Sequence, residues 1–408
     1  MNDYANVVRR DFPILAQTIN GYPLIYLDNA STTQKPTAVI EAITRFYSTY
    51  NANVGRGLYP FAEQATHEYE LVRAQVARFI NALPQEISFT SGTTESINRI
   101  ALTWALKHCH SGDTIVVSEL EHHANLLAWQ QVCARTGAQL QFIPVNEHGL
   151  LVLDRLEQII GPRTKLVCVS HVSNVLGTTN PIERISAAAH SVGARILVDA
   201  AQSAGHLPID VKVLDVDFLA FSAHKMLGPT GVGVLYVKQE LLDELEPLYV
   251  GGGMVFSADY QQASWLKAPQ KFQAGTPNIA GIIGFGAALS YIEKKIPFSW
   301  LAQHEAALCT HLINRLCEIK SIKVLGPIEQ LKSQGHLVSF TIEHMHAHDV
   351  AAALAAQGIC VRAGHHCAQP LAQRLGIELS VRISFYAYNT IGEVDAFINA
   401  LTRLLATS

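Results

Sequence analysis

The sequence predicts an α/β fold, with a large domain built on a mainly parallel, seven-stranded sheet between layers of helices and a smaller α+β domain after it. Three observations indicate this. Short β-branched runs alternate with helix-like segments over residues 65–280. Several runs are apolar without interruption, such as ILV at 196–198 and FLAF at 218–221, which is typical of strands buried on both faces. After residue 290 the pattern changes to alternating strands between amphipathic helices.

The elements of the large domain follow in a regular order. An apolar stripe at residues 69, 72, 76, 79 and 80 has helical spacing and predicts a helix before the first strand. Strands are then expected at residues 86–90, 114–118, 139–143, 165–170, 195–199, 217–222 and 231–237. We place this domain at residues 1–290.

The smaller domain is expected at residues 291–408. Its predicted elements are a helix at 300–320, a strand at 337–342, a helix at 348–357, strands at 359–362 and 380–385, and a helix at 391–405. Gly358 suits the end of the second of these helices, because glycine readily takes the left-handed conformation there. We expect the first 25 or so residues to pack on this domain.

Composition excludes several classes of protein. Of 408 residues, 49% are apolar and only 16% are charged, which rules out an intrinsically disordered chain. The net charge of −4, with both signs mixed along the chain, argues against a nucleic-acid partner. The apolar stretch 279–292 is shorter than the roughly 20 residues that a membrane-spanning helix needs, so no membrane association is expected.

Cysteine usage points to a reducing compartment. There are seven cysteines, an odd number without a C-x-x-C motif, in a large chain, which is not the pattern of a disulfide framework. The N-terminus lacks the apolar core of a signal peptide. We therefore expect a cytoplasmic protein.

Polar residues with chemical potential follow the ends of several predicted strands, where open α/β sheets bind ligands. Gly92, Thr93 and Thr94 begin a helix whose free N–H groups suit an anion, although an ordinary helix cap explains them equally well. His122 and His123 come where a strand turns into a helix. A flat imidazole there can stack on an aromatic ring. Alternatively, the two histidines are an ordinary polar pair in a loop.

A carboxylate and a lysine follow two further strands. Asp199 ends an apolar run and needs a partner, either a protonated ring nitrogen or an ordinary helix cap or ion pair. Lys225 stands in a short loop beside Ser222 and His224, and a desolvated lysine can condense with an aldehyde. Taken together, a helix start, a carboxylate and a lysine are the groups that pyridoxal phosphate requires.

Longer motifs run along nearly the whole chain: YLDNASTTQKP (26–36), GTTESIN (92–98), EHHAN (121–125), SHVSNVLGT (170–178), VDAAQ (198–202), FSAHKMLGPTGVGVLY (221–236), FQAGTPN (272–278) and RAGHHCAQP (362–370). In these motifs the sequence resembles the Suf-type (group II) cysteine desulfurases and selenocysteine lyases, which are fold-type-I pyridoxal phosphate enzymes.

The resemblance implies roles residue by residue. The cofactor pyridoxal 5′-phosphate is expected to be held by Thr93, Thr94, His122, Asp199, Gln202, Ser222, His224 and Lys225, with Thr276 reaching the phosphate from the other subunit of a homodimer. The residues expected at the substrate are Asn174, Arg362, Arg382 and Arg56. Lys225, His122 and Cys367 are the expected catalytic residues.

The implied reaction converts L-cysteine to L-alanine, leaving a persulfide on Cys367 that passes to a small sulfur-acceptor protein for iron–sulfur cluster assembly. Arg362, His365 and His366 are expected to favour the Cys367 thiolate by their charge, and the other six cysteines to be packing residues. Gly55 replaces a histidine that the family usually has before the arginine at position 56.

Other interpretations stay open. Selenocysteine lyase activity, or another aminotransferase or lyase reaction on this fold, would use Lys225 and Asp199 equally well. A metal-binding or scaffold protein is suggested by the histidines at 344, 346 and 348 and the cluster at 365–367. Neither run has the closed ligand spacing of a zinc site, so we predict no metal.

Overall fold

The structure is a computed structural model that describes residues 2–406. Its strands, in chain order, are β1 (Thr18–Ile19), β2 (Tyr22–Pro23), β3 (Ile25–Tyr26), β4 (Ile87–Thr90), β5 (Thr114–Ser118), β6 (Gln139–Ile143), β7 (Thr164–Ser170), β8 (Arg195–Asp199), β9 (Phe218–Ser222), β10 (Gly233–Val237), β11 (Val255–Ala258), β12 (Ala263–Trp265), β13 (Ile322–Leu325), β14 (Leu337–Ile342), β15 (Ile359–Cys360), β16 (Arg362–Gly364) and β17 (Ser380–Ser384).

The helices surround these strands. In chain order they are α1 (Asn2–Arg9), α2 (Thr37–Thr49), α3 (Pro60–Phe79), α4 (Thr93–Ile100), α5 (Leu106–His108), α6 (Ala124–Thr136), α7 (Leu156–Ile159), α8 (Ile182–Ser191), α9 (Ile279–Lys295), α10 (Phe298–Cys317), α11 (Ile328–Gln334), α12 (Ala347–Ala355), α13 (Gln369–Arg374) and α14 (Ile391–Ala406). A π-helical turn at Ala101–Ala105 joins α4 to α5.

The central sheet has seven strands in the order β4-β10-β9-β8-β7-β5-β6. Only β10 runs against the others, pairing antiparallel with both β4 and β9. Strands β5, β9 and β10 are buried at every residue. The predicted mainly parallel α/β sheet is therefore confirmed, and each of the seven expected runs forms one of its strands.

Burial on both faces explains the uninterrupted apolar runs. Successive side chains of a strand point to opposite faces, so Val116, Ile196 and Val198 join one hydrophobic core while Ile115 and Leu197 join another. The two cores lie on opposite faces of the sheet, and each is closed by helices. The edge strand β6 differs, because its sequence alternates and two of its five residues are exposed.

The second sheet is antiparallel, in the order β13-β14-β17-β16. Its core includes apolar residues of α10, α12 and α14. The single strand expected at 359–362 is in fact two, because β15 pairs in parallel with β3 whereas β16 pairs with β17. Near the N-terminus, Arg9 also forms an ion pair with Glu393, with nitrogen and oxygen 2.8 Å apart.

Within the described residues, no helix combines the length and the apolar character needed to cross a bilayer. Helix α9 is almost wholly buried, as expected for its apolar sequence. The carboxyl ends of β5, β7, β8 and β9 meet at one edge of the central sheet, next to the loops of the second sheet. The side chains singled out by the sequence come together there.

Candidate active site

One cavity of about 230 Å³ lies at this edge of the sheet. Twelve of the residues expected at the site line it: Thr93, Thr94, His122, Asn174, Asp199, Gln202, Ser222, His224, Lys225, Arg362, Cys367 and Arg382. They come from the central sheet and from the second sheet, which supplies the arginines and the cysteine. Residues far apart in the sequence thus face a common space.

The start of α4 lies at one end of the cavity. The N–H of Thr93 donates to the Ser222 hydroxyl oxygen at 2.8 Å, and the two hydroxyl oxygens are 2.7 Å apart. Gly233 allows this approach, because a Cβ at that position would come within 2.4 Å of the Gly92 Cα. A helix start with two hydroxyl groups beside it suits a phosphate.

The segment before α4 is held by an acidic side chain of the same helix. The Ser91 N–H donates to the Glu95 carboxylate at 2.7 Å, and Glu95 forms an ion pair with Arg99. In the described chain the helix begins after Gly92, and no side chain at this N-cap position caps it. The expected cap by a serine or threonine side chain is therefore wrong, and Thr93 and Thr94 face the cavity.

Asp199 and Lys225 lie at the ends of neighbouring strands. The Ala201 N–H donates to one Asp199 oxygen at 2.9 Å, while burial raises the pKa of the Asp199 carboxyl. Burial lowers the pKa of Lys225 to about 8, although the charge of Asp199 acts in the opposite direction. Among the described residues, no acceptor lies within hydrogen-bond distance of Lys225 Nζ, so the amine is free to react.

His122 presents a neutral ring to the cavity. Its Nδ1 accepts a hydrogen bond from the Ala124 N–H at 3.0 Å, at the start of α6. Burial, helped by the charge of Lys225, lowers the pKa of His122 to about 4. An uncharged imidazole held by a helix start is suited to stack on a flat aromatic ligand. The neighbouring residue, His123, contacts the cysteine loop instead. The backbone N–H of His123 donates to the backbone carbonyl of Cys367 at 2.7 Å.

Arg382 is the principal buried cation of the cavity. Its guanidinium donates to the Asn174 carbonyl at 2.8 Å and to the Ser31 hydroxyl at 3.0 Å, and it approaches Asp28 at 3.3 Å. Burial lowers the pKa of Arg382 to about 10, which still leaves it charged at neutral pH. Its Nε is buried with no partner in the part of the chain that the structure describes. A carboxylate ligand is the natural partner of such a group.

The loop that carries Cys367 has an unusual backbone. His366 and Cys367 both have positive φ angles, of 53° and 58°. The Asn174 side-chain amide holds the loop by donating to the His366 carbonyl at 2.6 Å. The Cys367 side chain is exposed while lining the cavity. A strained loop held from outside is a common way to direct a reactive group.

His366 differs from the sequence-based expectation. Burial lowers its pKa to about 3, and its Nε2 is 3.0 Å from the Ser380 hydroxyl. The ring is therefore neutral at neutral pH and supplies no charge to a thiolate. Another cysteine, Cys317 at the end of α10, is exposed and is not the packing residue that was expected. Cys109, Cys168 and Cys309 are buried as expected.

The loop before α2 was missed as a source of site residues. Ser31 accepts hydrogen bonds from both Arg362 at 2.7 Å and Arg382 at 3.0 Å. The Ala30 carbonyl accepts from Gln202 Nε2 at 2.8 Å, while Gln202 Oε1 is buried without a partner in the described chain. The motif containing this loop was noticed in the sequence, but nothing in its composition indicated which strand ends it would meet.

Thr276 and Arg56 lie elsewhere. They line a second cavity of about 610 Å³, together with Gly55. Asn53 donates to the Thr276 hydroxyl at 3.1 Å, and this contact is exposed. A single chain therefore does not bring these two residues to the cavity of Lys225.

The histidines of the first run, residues 344, 346 and 348, are exposed. A different, buried cluster joins His206, Glu305 and His336, with His206 Nδ1 and Glu305 Oε1 2.8 Å apart. The rings of His206 and His336 stack at 3.7 Å with only 12° between their planes. Imidazole lone pairs lie in the ring plane, so one ion about 2 Å from each nitrogen cannot lie in both planes.

The donor set of the first cavity fits pyridoxal phosphate. A helix start and hydroxyl groups suit the phosphate, Asp199 suits a protonated ring nitrogen, and Lys225 suits the aldehyde. Neutral His122 adds a flat face. The orphaned Gln202 oxygen is a further polar atom for which the protein itself supplies no partner.

Comparisons with known proteins agree with this site. A model of the family described as aminotransferase class-V matches residues 25–397. A probable cysteine desulfurase of Halalkalibacterium halodurans is 46% identical over 400 residues, covering 98% of this chain and 97% of that protein. A cysteine desulfurase of Cronobacter sakazakii is 45% identical over 399 residues, covering 97% of both. The solved apo structure of a cysteine desulfurase from Thermococcus onnurineus has a TM-score of 0.94 and 41% identity, covering 98% of both chains.

Proposed function

The chain belongs to the class-V aminotransferase family, among its cysteine desulfurases, and we infer from this that it removes the sulfur of L-cysteine and releases L-alanine. One observation carries the assignment: the exposed Cys367 lines the same cavity as Lys225, Asp199 and Arg382. An aminotransferase reaction would need the lysine, the aspartate and the arginine, but it has no use for a thiol at this place.

The cofactor is pyridoxal 5′-phosphate, as expected from the sequence. When bound, it withdraws electrons from the substrate Cα and so makes the Cα–H and Cβ–S bonds easier to break. We propose that Thr93, Thr94, Ser222 and His224 hold its phosphate and that Gln202 bonds its ring oxygen. Asp199, whose buried carboxylate needs a cation, would keep the ring nitrogen protonated.

Substrate binding is assigned to the two arginines. Arg362 and Arg382 are paired across β16 and β17, so their guanidinium groups approach the cavity from the same side. Both donate to Ser31, which leaves further N–H groups for a carboxylate. Asn174 fixes this end of the cavity, because its carbonyl accepts from Arg382 and its side chain holds the cysteine loop.

Proton transfer is assigned to Lys225. A lysine whose pKa lies at about 8 is partly unprotonated at neutral pH, so its Nζ can take the proton from the substrate Cα. Neutral His122 would cover one face of the bound cofactor and exclude water from it. Lys225 and His122 both line the cavity, so the reacting carbon would meet an amine and a flat, uncharged ring there.

Cys367 accepts the sulfur. Its Sγ attacks the sulfur of the substrate, an S–S bond forms and the Cβ–S bond breaks with its electrons remaining on carbon. Cβ takes up one proton, equal to the one that the attacking thiol loses, and becomes the methyl group of alanine. The carbon is thus reduced, and the two thiols are oxidised to one persulfide. The exposed side chain of Cys367 then lets a small acceptor protein collect the sulfur, for iron–sulfur cluster assembly.

We propose a cytoplasmic homodimer. Thr276 and Arg56 are on the surface of one chain, and a second copy would carry them toward the cavity of Lys225. Near Arg56 the side chains of Leu58, Tyr59 and Phe61 are exposed by 94%, 52% and 54%, and a protein interface would cover such apolar surface. A reducing compartment suits a thiol that must be free in every cycle.

The test is to compare C367A with C317A, which removes another exposed cysteine outside the cavity. Alanine release from L-cysteine is measured in the cofactor-loaded protein. We expect C367A to lose at least about 100-fold in turnover and C317A to keep it, because only Cys367 attacks the substrate sulfur. Undiminished alanine release by C367A would refute the assignment. Selective retention of selenocysteine turnover by C367A would indicate a selenocysteine lyase.

A further inference from the structure

Four groups from one short segment converge on a single carbonyl oxygen, that of His224, which directly precedes Lys225. The Thr33 N–H donates to it at 3.0 Å, and the hydroxyl groups of Thr32 and Thr33 donate at 3.0 and 3.2 Å. The ammonium of Lys35 donates to it at 3.0 Å. A carbonyl oxygen has two lone pairs, so this degree of convergence is unusual.

Lys35 is the ionisable member of this group. It also donates to the Thr33 carbonyl and, at 3.4 Å, to the Thr32 hydroxyl. In the described chain it forms no ion pair with a carboxylate within 4.0 Å. Burial lowers the pKa of Lys35 to about 7, since its charge is compensated only by neutral oxygens. Hydrogen bonds from a charged donor are roughly twice as strong as neutral ones.

The hydrogen bonds to the His224 carbonyl hold the turn at residues 223–228, and this turn is strained. Leu227 has a φ angle of 66°, which is unfavourable for a residue with a bulky side chain. Its N–H donates to the Thr33 hydroxyl at 2.8 Å. A Cβ at Gly228 would come within 2.9 Å of both the Ala223 side chain and carbonyl, so the turn is also tightly closed. Strain of this kind persists only where surrounding groups maintain it.

We propose that Lys35 is a positioning residue for the active site, whose side-chain amino group holds the His224 carbonyl and thereby places Lys225 Nζ in the cavity. Lys35 itself does not line that cavity. The proposal rests on the proposed function, in which Lys225 moves the substrate proton. It assigns a role in that reaction to a side chain that touches neither substrate nor cofactor.

The experiment uses the cofactor-loaded variants K35M and K35R, with K212M as the matched control at an exposed lysine. We expect K35M to lower kcat about 10- to 100-fold with KM for cysteine within about twofold, since a small misplacement of a reacting group has effects of that size. K35R keeps a charged donor and should recover part of the loss. Wild-type kcat in K35M would overturn the proposal.

A second readout does not involve turnover. Hydrogen exchange of the Leu227 and Gly228 amides reports how firmly the turn is held. We expect about tenfold faster exchange in K35M than in K212M, with and without cofactor, and unchanged exchange in the strands of the second sheet. Equal exchange of these two amides in both variants would also overturn the proposal.

The two proposals fail differently. If the wild-type protein releases no alanine from cysteine, the proposed function is wrong, while amide exchange still decides whether Lys35 holds the turn. If K35M does not yield folded, loaded protein, K35Q is measured in its place against the same outcomes. A variant with a lower melting temperature but unchanged kcat would show a merely structural lysine and would refute the positioning role.

Discussion

The lowered pKa of Lys225 predicts how fast the protein captures its cofactor at different pH values. Only the unprotonated amine can attack an aldehyde. With a pKa of about 8, roughly 9% of Lys225 is unprotonated at pH 7, about 50% at pH 8 and about 90% at pH 9. An ordinary lysine, with a pKa near 10.4, is only about 0.04% unprotonated at pH 7. Burial therefore increases the reactive fraction by roughly 200-fold at neutral pH.

The assay mixes cofactor-free protein with pyridoxal phosphate in a stopped-flow instrument and follows the visible absorbance. The capture rate should rise about tenfold between pH 7 and pH 9, with its midpoint near pH 8, and then level off, following the unprotonated fraction of Lys225. K225A should show no saturable phase. A rate that continues to rise through pH 10 would contradict the lowered pKa.

The same assay separates the causes of the shift. Asp199 raises the pKa of Lys225 through its negative charge, against the larger effect of burial. Replacing it in D199N should therefore move the midpoint of the capture rate to lower pH. A midpoint that moves upward would show that Asp199 does not act on Lys225 in this way.

Three further outcomes are expected. R382K should raise KM for cysteine at least about tenfold in steady-state kinetics, because a lysine cannot bind a carboxylate in two places; an unchanged KM would place the carboxylate elsewhere. His171 is buried, and its pKa is lowered to about 4 in the folded protein. As the pH drops from about 6.5 to 4, this histidine is protonated in the unfolded chain before it is protonated in the folded one, so the free energy of unfolding falls. In urea titrations, H171Q should lose about 2 kcal/mol less than the wild type between pH 7 and pH 5, whereas H148Q, at an exposed histidine, should follow the wild type. G228A should reduce cofactor retention after gel filtration several-fold, because its methyl group meets Ala223 and displaces the turn.

Much of the large domain could be predicted because its signals are local. A buried parallel strand is apolar over its whole length, and several of the seven runs between helix-like segments have this character. The second sheet was harder, since its short strands have partners far away in the chain. Residues 359–364 have nothing in their sequence to show that β15 joins β3 while β16 joins β17, because pairing depends on which edge is free.

The candidate site was predictable where a chemical group ends a strand. Asp199 and Lys225 were recognisable because a carboxylate and an amine directly after apolar runs are costly without a partner. The contribution of Ser31 could not be recognised, because a hydroxyl group in a polar loop is solvated and gives no sign in the sequence that it needs a partner. Its importance comes only from the two arginines that the fold brings to it.

By itself the sequence determined the α/β sheet and the cofactor, because apolar runs and the polar groups that follow them can be recognised from residue order along the chain. It marked Lys225 and Cys367 as candidates, the cysteine through the resemblance to a family. Only the tertiary structure decided which site residues are charged and which residues hold them in place. Burial makes His366 neutral, although its sequence neighbours suggested a cation. Packing against a distant loop places Lys35 on the carbonyl that precedes Lys225. Desolvation and hydrogen bonding depend on which atoms surround a group in space, and residues far apart in the chain supply those atoms.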